Sequence, residues 1–404
     1  MEILQINNVF PVGSTGKIVY DIHNCLIDNS ISSLVVYGRG EESKVHGSIK
    51  VCSELYAHLN KVRSMISGLM YGGCFFSTNK IIRLIKKTKP NVVHLHCING
   101  YFVNVYRLVN WLKKNNINTV LTLHAEFLHT GNCGHALDCE KWKNGCGKCP
   151  RLKQETLSLF FDRTKNSWMK MKKAFEDFDN LVVVSVSPWL MNRAKQSPIL
   201  KDKRHVVVLN GLDENIFYYR KNIELKKKYN IPSNKCIVFH ATPGFNNDLN
   251  HIKGGYFLLE LAKIMTDSVF IVAGPYNNDF LIPKNVIMLG KVSNQNELAN
   301  LYSIADVTLL VSKRETFSMV TAESLCCGTP VVGFKAGGPE SIAIPDFSEF
   351  VEYGDINLLK NSITRMKNKK LDKSRISLIS ISKYSKKVMF EKYNAIYKEF
   401  EDLK

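Results

Sequence analysis

Short apolar runs rich in valine, isoleucine and leucine recur along the chain, and segments with a helical spacing of apolar positions separate them. Runs of this length, bounded by polar residues, predict strands that are buried on both faces. Strands that alternate with helices form parallel sheets with helices on both sides. The predicted strands span 3–9, 92–96, 118–124, 181–187, 235–241, 268–274, 306–312 and 330–334. The chain is therefore predicted to be α/β throughout.

The pattern breaks near residues 200–220, where the apolar run VVVLNGLDENIF leads into a highly charged segment and then a new strand. A chain of 404 residues also exceeds what one core usually supports. We predict two doubly wound, Rossmann-like domains, 1–200 and 201–384, that face each other across a cleft. The last helix, 385–404, is expected to pack back on the first domain. Because ligands of such sheets bind at the carboxyl ends of the strands, the cleft is the predicted binding site.

The charge of the chain narrows the class of partner. The sequence holds 55 lysines and arginines against 36 acidic residues, a formal charge of +19 that favours anionic partners. The basic residues are spread over many segments without a nucleic-acid recognition module, so we expect phosphorylated ligands or an anionic membrane surface and no nucleic acid. The sequence shows no signal-peptide pattern and no apolar run long enough to cross a bilayer. We therefore expect a cytoplasmic protein, with peripheral attachment to the inner face of the membrane as a further expectation.

A glycine-rich turn, GSTGK, follows the first predicted strand at residues 13–17. A nucleotide P-loop needs four residues between its first glycine and its Gly-Lys pair, and then a hydroxyl residue for magnesium. Here two residues separate Gly13 from Gly16, and Ile18 stands where the hydroxyl should be. The P-loop interpretation therefore fails. The start of the following helix still presents unpaired backbone N–H groups to an anion, unless the turn is an ordinary strand-to-helix connection.

The segment KRETFSMVTAESLCCGTPVVGFKAGGPESI, residues 313–342, holds the most chemically informative residues. Glu315 follows a predicted strand, and Glu323 lies about one turn into the next predicted helix. Each carboxylate can accept hydrogen bonds from a pair of vicinal hydroxyls. The backbone N–H groups at the helix start suit a phosphate or a developing oxyanion, and they belong to Phe317, Ser318 and Met319. The alternative is a helix cap with two solvated acids.

These residues resemble glycosyltransferase family 4, a family of retaining enzymes with the GT-B fold. The main likeness is Glu315 and Glu323, separated by seven residues and followed by GGPES. Further matching segments are GSTGK (13–17), HLH (94–96), TLH (122–124), LNGLD (209–213) and KGG (253–255), so that the resemblance covers most of the chain. It implies an enzyme that moves a sugar from a nucleotide-sugar donor to a glycan or lipid-linked acceptor with retention, in the synthesis of a bacterial surface polysaccharide.

The resemblance also implies a role for each matching residue. Glu315 would hold hydroxyls of the donor sugar, Glu323 would hold the ribose, and Lys253 would neutralise the diphosphate leaving group without a metal. His124 matches an active-site histidine near the sugar, although a histidine at a strand end is otherwise often only structural. Glu315 and His124 are the expected catalytic residues, and no cofactor is required for the reaction. The other donor-binding residues that it implies are Gly13, Ser14, Thr15, Gly16, Thr316, Phe317, Ser318 and Met319.

The chain departs from the family pattern at two positions. Asp248 stands five residues before Lys253, where the family commonly has an arginine. The corresponding phosphate contact is therefore either missing or supplied by Lys313 or Arg314. Many relatives also have an aspartate directly after the histidine of TLH, whereas this chain has an alanine followed by Glu126. Whether Glu126 replaces that acid is open.

A cysteine-rich segment, HTGNCGHALDCEKWKNGCGKCP, follows His124 at residues 129–150. Disulfides are uncommon in cytosolic proteins, whereas four thiolates can surround a zinc ion tetrahedrally. We predict a structural zinc site, with reduced free thiols and one oxidised pair as the alternatives. His129 and His135 are candidate substitutes for one thiol. The predicted ligands are Cys133, Cys139, Cys146 and Cys149.

A second apolar pattern lies in ETLSLFFDRTKNSWMKMKKAF, residues 155–175. A helix over this segment would carry one apolar stripe, formed by Leu157, Phe160, Phe161, Thr164, Trp168 and Met171. Such a stripe usually faces a core. The alternative is a basic, aromatic face at a membrane, where lipid-linked acceptors reside, and the segment SMISGLMYGGCFF (64–76) would add to it.

Two other functions remain open from the sequence. A nucleotide-sugar epimerase or phosphorylase of the same fold would bind a similar donor. A zinc-containing nucleic-acid-binding protein would account for the formal charge of +19 and for the cysteines.

Overall fold

The computed structural model describes residues 1–221, 223–229, 231–232, 234–277 and 279–402. The chain divides into two compact units. The first contains Met1–Leu209 and the chain from Phe390 onward, and the second contains Asn210–Met389.

The first unit is built on a seven-stranded, all-parallel sheet of strand order β3-β2-β1-β4-β5-β6-β7. Its strands are β1 (Glu2–Val9), β2 (Ser32–Arg39), β3 (Ser48–Lys50), β4 (Val92–Leu95), β5 (Thr119–Leu123), β6 (Leu181–Ser185) and β7 (Arg204–Val207). Its helices are α1 (Gly13–Asp28), α2 (Glu54–Ser67), α3 (Phe75–Thr88), α4 (Val105–Lys114), α5 (Phe127–Thr130), α6 (Thr164–Phe175) and α7 (Pro188–Lys195). The central strands β4, β5 and β6 are buried along their whole length, as the continuous apolar runs predicted.

The second unit is built on a six-stranded, all-parallel sheet of strand order β10-β9-β8-β11-β12-β13. Its strands are β8 (Cys236–Ala241), β9 (Ser268–Ala273), β10 (Val286–Gly290), β11 (Val307–Leu310), β12 (Val331–Phe334) and β13 (Ser348–Val351). Its helices are α8 (Ile223–Lys228), α9 (Gly255–Ile264), α10 (Gln295–Ile304), α11 (Met319–Cys326), α12 (Gly338–Ile342), α13 (Ile356–Asn368) and α14 (Lys373–Tyr384). Helix α15 (Lys386–Asp402) begins in this unit and belongs to the first unit from Phe390 onward. The prediction of two Rossmann-like α/β domains is confirmed.

The end of the chain returns to the first sheet. The hydroxyl of Tyr397, on α15, lies 2.6 Å from Nδ1 of His94, and the hydroxyl of Tyr393 lies 2.9 Å from Oγ1 of Thr122. All four side chains are buried. The first unit extends to Leu209 rather than 200, because β7 pairs with β6 and completes the sheet.

The predicted single helix over residues 155–175 is wrong. Residues 152–156 form a π-helical turn, and Leu157 has a φ of +54°, which no helix continues. Helix α6 begins only at Thr164, whose N–H donates to Oδ1 of Asp162 at 2.9 Å. Leu157 and Phe160 therefore lie in an exposed loop, whereas Trp168 is buried against the unit.

Within the described ranges, we find no helix with the length and apolar character needed to cross a membrane.

Candidate functional site

Lys253 and Glu315 form an ion pair in the second unit, with 2.7 Å between Lys253 Nζ and Glu315 Oε1. The backbone before α9 brings the lysine to this position. Gly254, with a φ of +67°, packs so closely on Val311 that a Cβ there would lie 2.0 Å from the Val311 carbonyl oxygen. Only glycine fits this approach, so KGG places Lys253 at the end of β11. The two side chains are 26% and 19% exposed, which leaves the pair within reach of a ligand.

The backbone of Glu315 is fixed from both sides by the GGPES turn. Its N–H donates to the carbonyl of Ala336 at 3.0 Å, and its carbonyl accepts from the N–H of Gly338 at 2.9 Å. The carboxylate of Glu340 accepts from the N–H groups of Ala336 and Gly337, at 3.0 and 2.7 Å. Glu340 therefore stabilises the turn whose backbone is hydrogen-bonded to Glu315.

Helix α11 begins at an unusual backbone conformation. Ser318 has a φ of +79°, which is rare for a residue with a side chain, and its Oγ accepts from the N–H of Thr321 at 3.2 Å. Strained residues of this kind cluster at functional sites. Ser318, Thr316 and Phe317 are buried, so their backbone N–H groups rather than their side chains are suited to an anion. Met319, at the first position of α11, is half-buried.

Glu323 lies one turn into α11, where its Oε2 accepts from the hydroxyl of Tyr302 at 2.9 Å. Tyr302, on α10, is buried. Burial and the nearby Glu323 charge raise the pKa of Tyr302 well above its usual value, so the phenol stays protonated and donates. Tyr302 thereby fixes the orientation of the Glu323 carboxylate.

A cavity of about 450 Å³ lies beside Lys253, at the carboxyl ends of β8 and β9. Phe245 and Tyr276 supply aromatic surface to this cavity, and Asn246 and Asn277 supply amides. Aromatic faces and a few polar groups are the usual lining of a pocket for a planar heterocycle. The cavity and the adjoining Lys253 therefore offer a place for a nucleobase and for phosphates within one unit.

Asp248 belongs to the loop beside this cavity and is exposed. Its Oδ1 accepts from the N–H of Asn250 at 2.8 Å, and its own N–H donates to Oδ1 of Asn246 at 2.7 Å. Asp248 therefore stabilises its own loop through these two hydrogen bonds. Lys313 lies with Nζ 5.6 Å from the ring centroid of Tyr353. A compensating phosphate contact from Lys313 or Arg314 stays a prediction.

The predicted residues of the first unit lie at the carboxyl-terminal ends of the strands of its sheet. Strands β1, β4 and β5 are neighbours, and their carboxyl ends lead into α1, His96 and His124. The prediction of a glycine turn over residues 13–17 is wrong, because helix α1 already begins at Gly13. Gly16 lies inside the first turns of the helix, where a Cβ would approach the Val9 carbonyl oxygen to 3.1 Å. Gly13 and Ser14 are exposed and Thr15 is half-buried, at a helix start that has no side-chain cap.

His124 lies at the end of a buried chain of hydrogen bonds. Its Nε2 is 3.2 Å from Nδ1 of His96, and Nε2 of His96 is 3.2 Å from Oε1 of Gln5. Burial lowers the pKa of His124 to about 4 and that of His96 well below its usual value, so both rings are neutral near pH 7.

The tautomers of both rings follow from this chain. The amide oxygen of Gln5 only accepts, so Nε2 of His96 carries the proton and Nδ1 of His96 accepts from Nε2–H of His124. Nδ1 of His124 is then an acceptor.

Glu126 is committed to partners inside the first unit. Its Oε1 lies 2.6 Å from Nε of Arg193, and its Oε2 accepts from the N–H of Ala136 at 2.8 Å. Burial raises the pKa of Glu126, but the His129 ring, whose Nε2 lies 3.5 Å from Oε1, and the Arg193 guanidinium outweigh burial and lower the pKa to about 2. Glu126 is therefore an ionised structural group that ties the cysteine-rich segment to α7.

The four cysteines line one small cavity of about 20 Å³ and are all free thiols. Burial raises the pKa of Cys146 to about 12 and also raises the pKa of Cys149. Within the described ranges, no group of three or more His, Cys, Asp or Glu side chains is arranged to hold a metal ion. This geometry does not support the zinc site, which stays a prediction.

Several supporting residues were not predicted from the sequence. Tyr302 and Glu340 act through Glu323 and Glu315, and Gln5 and His96 act through His124. The spacing in HLH gave a signal for one of them, because positions two apart in a strand share a face and place His94 and His96 together. The ring centroids of these two histidines lie 3.8 Å apart.

Known proteins with the same architecture are glycosyltransferases and related enzymes. Sucrose-phosphate synthase from Thermosynechococcus elongatus matches with a TM-score of 0.73 at 15% identity, over 100% of both chains. HepE from Anabaena, in a structure in complex with UDP-glucose, matches with a TM-score of 0.65 at 15% identity, over 99% of this chain and 100% of that one. At such identities the likeness shows the fold, which is that of GT-B glycosyltransferases.

The sequence comparisons narrow the class further. Residues 253–385 match the family model of glycosyl transferases group 1, a region that begins at Lys253 and includes Glu315 and Glu323. The "Putative colanic acid biosynthesis glycosyl transferase WcaC" of Escherichia coli (strain K12) is 22% identical over 343 residues, which is 82% of each chain. Together these findings support a group 1 glycosyltransferase.

Proposed function

We propose that this protein is a retaining family 4 glycosyltransferase that moves a sugar from a nucleotide-sugar donor to a glycan or lipid-linked acceptor. The proposed setting is the synthesis of a bacterial surface polysaccharide in the cytoplasm. The name of the colanic acid relative and the UDP-glucose complex of the HepE structure support this choice.

The observation that carries the proposal is the Lys253–Glu315 ion pair, 2.7 Å apart beside a cavity of about 450 Å³. Breaking the bond between a sugar and a nucleoside diphosphate leaves negative charge on the diphosphate. A preorganised cation beside that position stabilises the transition state. The ion pair with Glu315 holds Lys253 in place. When the donor binds, Lys253 turns to the phosphates and Glu315 accepts hydrogen bonds from the sugar hydroxyls.

His124 has a different proposed part in the reaction. Its ring is neutral, so it suits the uncharged sugar and not the diphosphate. We assign no covalent nucleophile, because in the proposed reaction the acceptor attacks the sugar from the same face from which the leaving group departs.

The experiment measures thermal stabilisation of the purified protein by nucleoside diphosphates and their sugars, followed by release of diphosphate with candidate acceptors. A ligand at about 100 times its Kd adds roughly 2.7 kcal/mol of stability. We expect a donor to stabilise the protein, diphosphate release to need an acceptor, and the product anomer to keep the donor's configuration by NMR. Release without any acceptor would favour an epimerase or phosphorylase, and salt-dependent oligonucleotide binding in Glu315→Ala would favour a nucleic-acid-binding protein.

A further inference from the structure

One face of the first unit exposes an apolar surface that its core does not use. The outer side of α2 carries a stripe of exposed apolar residues with helical spacing, Leu55, Leu59, Val62 and Ile66. Leu55 is 71% exposed, so the stripe is not part of the fold's packing. Residues spaced in this way lie along one side of a helix. We call this stripe and the exposed segments that adjoin it the α2 face.

The start of α3 adjoins α2 directly. The N–H of Phe76 donates to the hydroxyl of Tyr56 at 3.2 Å, and the two ring centroids are 6.0 Å apart. Phe76 itself is 74% exposed, and Phe75 beside it is also exposed.

The loop before α6 adjoins the other end of α2. The N–H of Leu159 donates to the carbonyl of Met65 at 2.9 Å, and the carbonyl of Phe161 packs directly against Gly68. The loop exposes Leu157, Leu159, Phe160 and Phe161. In the described part of the first unit, the only other exposed large apolar side chains besides Met169 of α6 are Val12 and Ile27. The exposed apolar surface of the unit is therefore concentrated on one face.

Cations stand among these apolar side chains. The guanidinium of Arg163 lies 5.4 Å from the ring centroid of Phe161, and that of Arg107 lies 4.3 Å from the ring centroid of Phe75. The acids of the same segments are occupied. Glu54 pairs with Arg39, Glu155 pairs with Arg151, and Asp162 accepts from the backbone at the start of α6. The face as a whole is apolar and basic.

A cavity of about 290 Å³ opens among the same segments. Its basic lining residues are Arg63, Arg163 and Lys170, and Ser67 and Tyr101 add hydroxyl groups. No aspartate or glutamate appears among the described residues that line it. Three cations around a cavity without an acid suit the phosphate of an anionic headgroup.

We propose that the α2 face binds a bilayer that contains anionic phospholipid. Its apolar side chains enter the interface, and lipid phosphates reach the basic cavity. A surface with apolar residues on one level and basic residues around them is the pattern of proteins that lie on anionic membranes. A second copy of the chain suits this face less well, because a symmetric contact would bring the same cations together. The proposal does not depend on the sugar chemistry.

The test measures co-sedimentation of the full chain with vesicles of phosphatidylcholine, with and without phosphatidylglycerol, at low salt. We expect binding only when phosphatidylglycerol is present. Replacing Arg63, Arg163 and Lys170 by glutamine is expected to weaken partition of the protein to these vesicles on the order of a hundredfold, because each basic residue near an anionic membrane surface contributes about equally to the free energy of binding. The matched control removes the same charge elsewhere, by changing Lys367, Lys369 and Lys370 to glutamine, and should bind almost as the unaltered chain does.

The apolar part of the face has its own test. Leu59→Ser, Phe76→Ser and Phe160→Ser together are expected to weaken binding at least about tenfold. Ile27→Ser, Leu281→Ser and Leu378→Ser remove exposed apolar groups elsewhere and serve as the control. Hydrogen exchange of the unaltered chain needs no variant, and slower exchange across 54–67 and 157–161 on vesicle binding is the expected result.

Three outcomes would overturn the proposal. The first is equal binding to vesicles with and without phosphatidylglycerol, or no binding to either. The second is an equal loss of binding in the Lys367, Lys369 and Lys370 control, which would show a response to net charge alone. The third is a lipid-free dimer that the Leu59, Phe76 and Phe160 changes dissociate, which would make this face a contact between copies.

Discussion

The two units hold their candidate residues in opposite ways. In the second unit Lys253 and Glu315 are charged, partly exposed and paired with each other. In the first unit His124 and His96 are neutral because burial lowers their pKa values, and Gln5 completes a buried hydrogen-bond chain. The charged pair suits an anionic leaving group, whereas the neutral chain suits uncharged hydroxyls. In the proposed reaction, charged side chains would lie where charge develops, and the neutral side chains of the first unit would orient uncharged groups.

The largest expected effect on stability tests whether the buried charge of Glu126 is structural. Glu126→Gln leaves Arg193 without its carboxylate in a site where Glu126 is fully buried, and breaking such a pair costs about 3–5 kcal/mol. Unfolding in denaturant measures this loss. Glu140→Gln removes the other carboxylate near Arg193. The Glu140 side chain is 48% exposed and its Oε1 lies 3.4 Å from Arg193 Nη1, so the change should lower the free energy of unfolding by about 1 kcal/mol or less.

The same residue predicts a pH dependence. The pKa of Glu126 is lowered from 4.5 to about 2 in the folded protein, so its contribution is fully present above pH 4.5 and is lost as the pH falls through about 2. The stability difference between the unaltered chain and Glu126→Gln should therefore shrink in acid. A difference that stays constant down to pH 2 would contradict the ion-pair assignment.

The largest expected effect on turnover tests the charged pair of the second unit. Lys253→Met and Glu315→Gln are each expected to lower kcat/KM by about 10²–10³-fold, the range for removing one transition-state contact. Lys263→Met breaks an exposed Lys–Glu pair on α9, with Glu260, and is the matched control. Steady-state kinetics with the donor found by thermal stabilisation provides the measurement. Near-normal kcat/KM in both variants would remove the pair from the reaction.

A smaller effect is expected from the neutral chain of the first unit. His124→Ala removes one hydrogen-bond acceptor, which is worth about 1 kcal/mol, and should lower kcat several-fold with donor binding nearly unchanged. Because the pKa of His124 is about 4, its part in the rate should be flat from neutral pH down to roughly pH 5 and fail as the pH approaches 4. A rate step near pH 6.5 that vanishes in His124→Ala would show that the ring titrates as an exposed histidine.

The contrast between the units also explains what the sequence could show. The central strands were predicted from their continuous apolar runs. The boundary between the domains was predicted from the charged segment that follows such a run, and the terminal helix from its length. Strands β2, β3, β7, β10 and β13 escaped prediction because they are short, at or near sheet edges, or only partly buried. Edge strands carry weaker apolar patterns, since one side lacks a neighbour.

The sites follow the same logic. Glu315, Glu323 and Lys253 could be singled out in the sequence because their motifs are local, and their roles stay predictions. Their supports, such as Tyr302 and Glu340, act through contacts that only the fold creates. The helix expected over 155–175 failed because apolar spacing alone cannot show the break at Leu157.

The smallest expected effect on turnover concerns the cysteine-rich segment, and it would sharpen the view that the first unit is built for orientation. The described side chains are not arranged to hold a metal ion. The hypothesis to test is therefore the one made from the sequence, that the four cysteines, which line a common cavity, hold a structural zinc ion as thiolates. Elemental analysis of purified protein should then find about one zinc per chain, and Cys146→Ser should lower that content while kcat stays within about twofold. Cys236→Ser, a buried cysteine of the second unit, is the control and should leave the zinc content unchanged. Protein that holds no zinc and keeps full activity and unfolding temperature in chelator would show reduced thiols that only pack, as their raised pKa values allow.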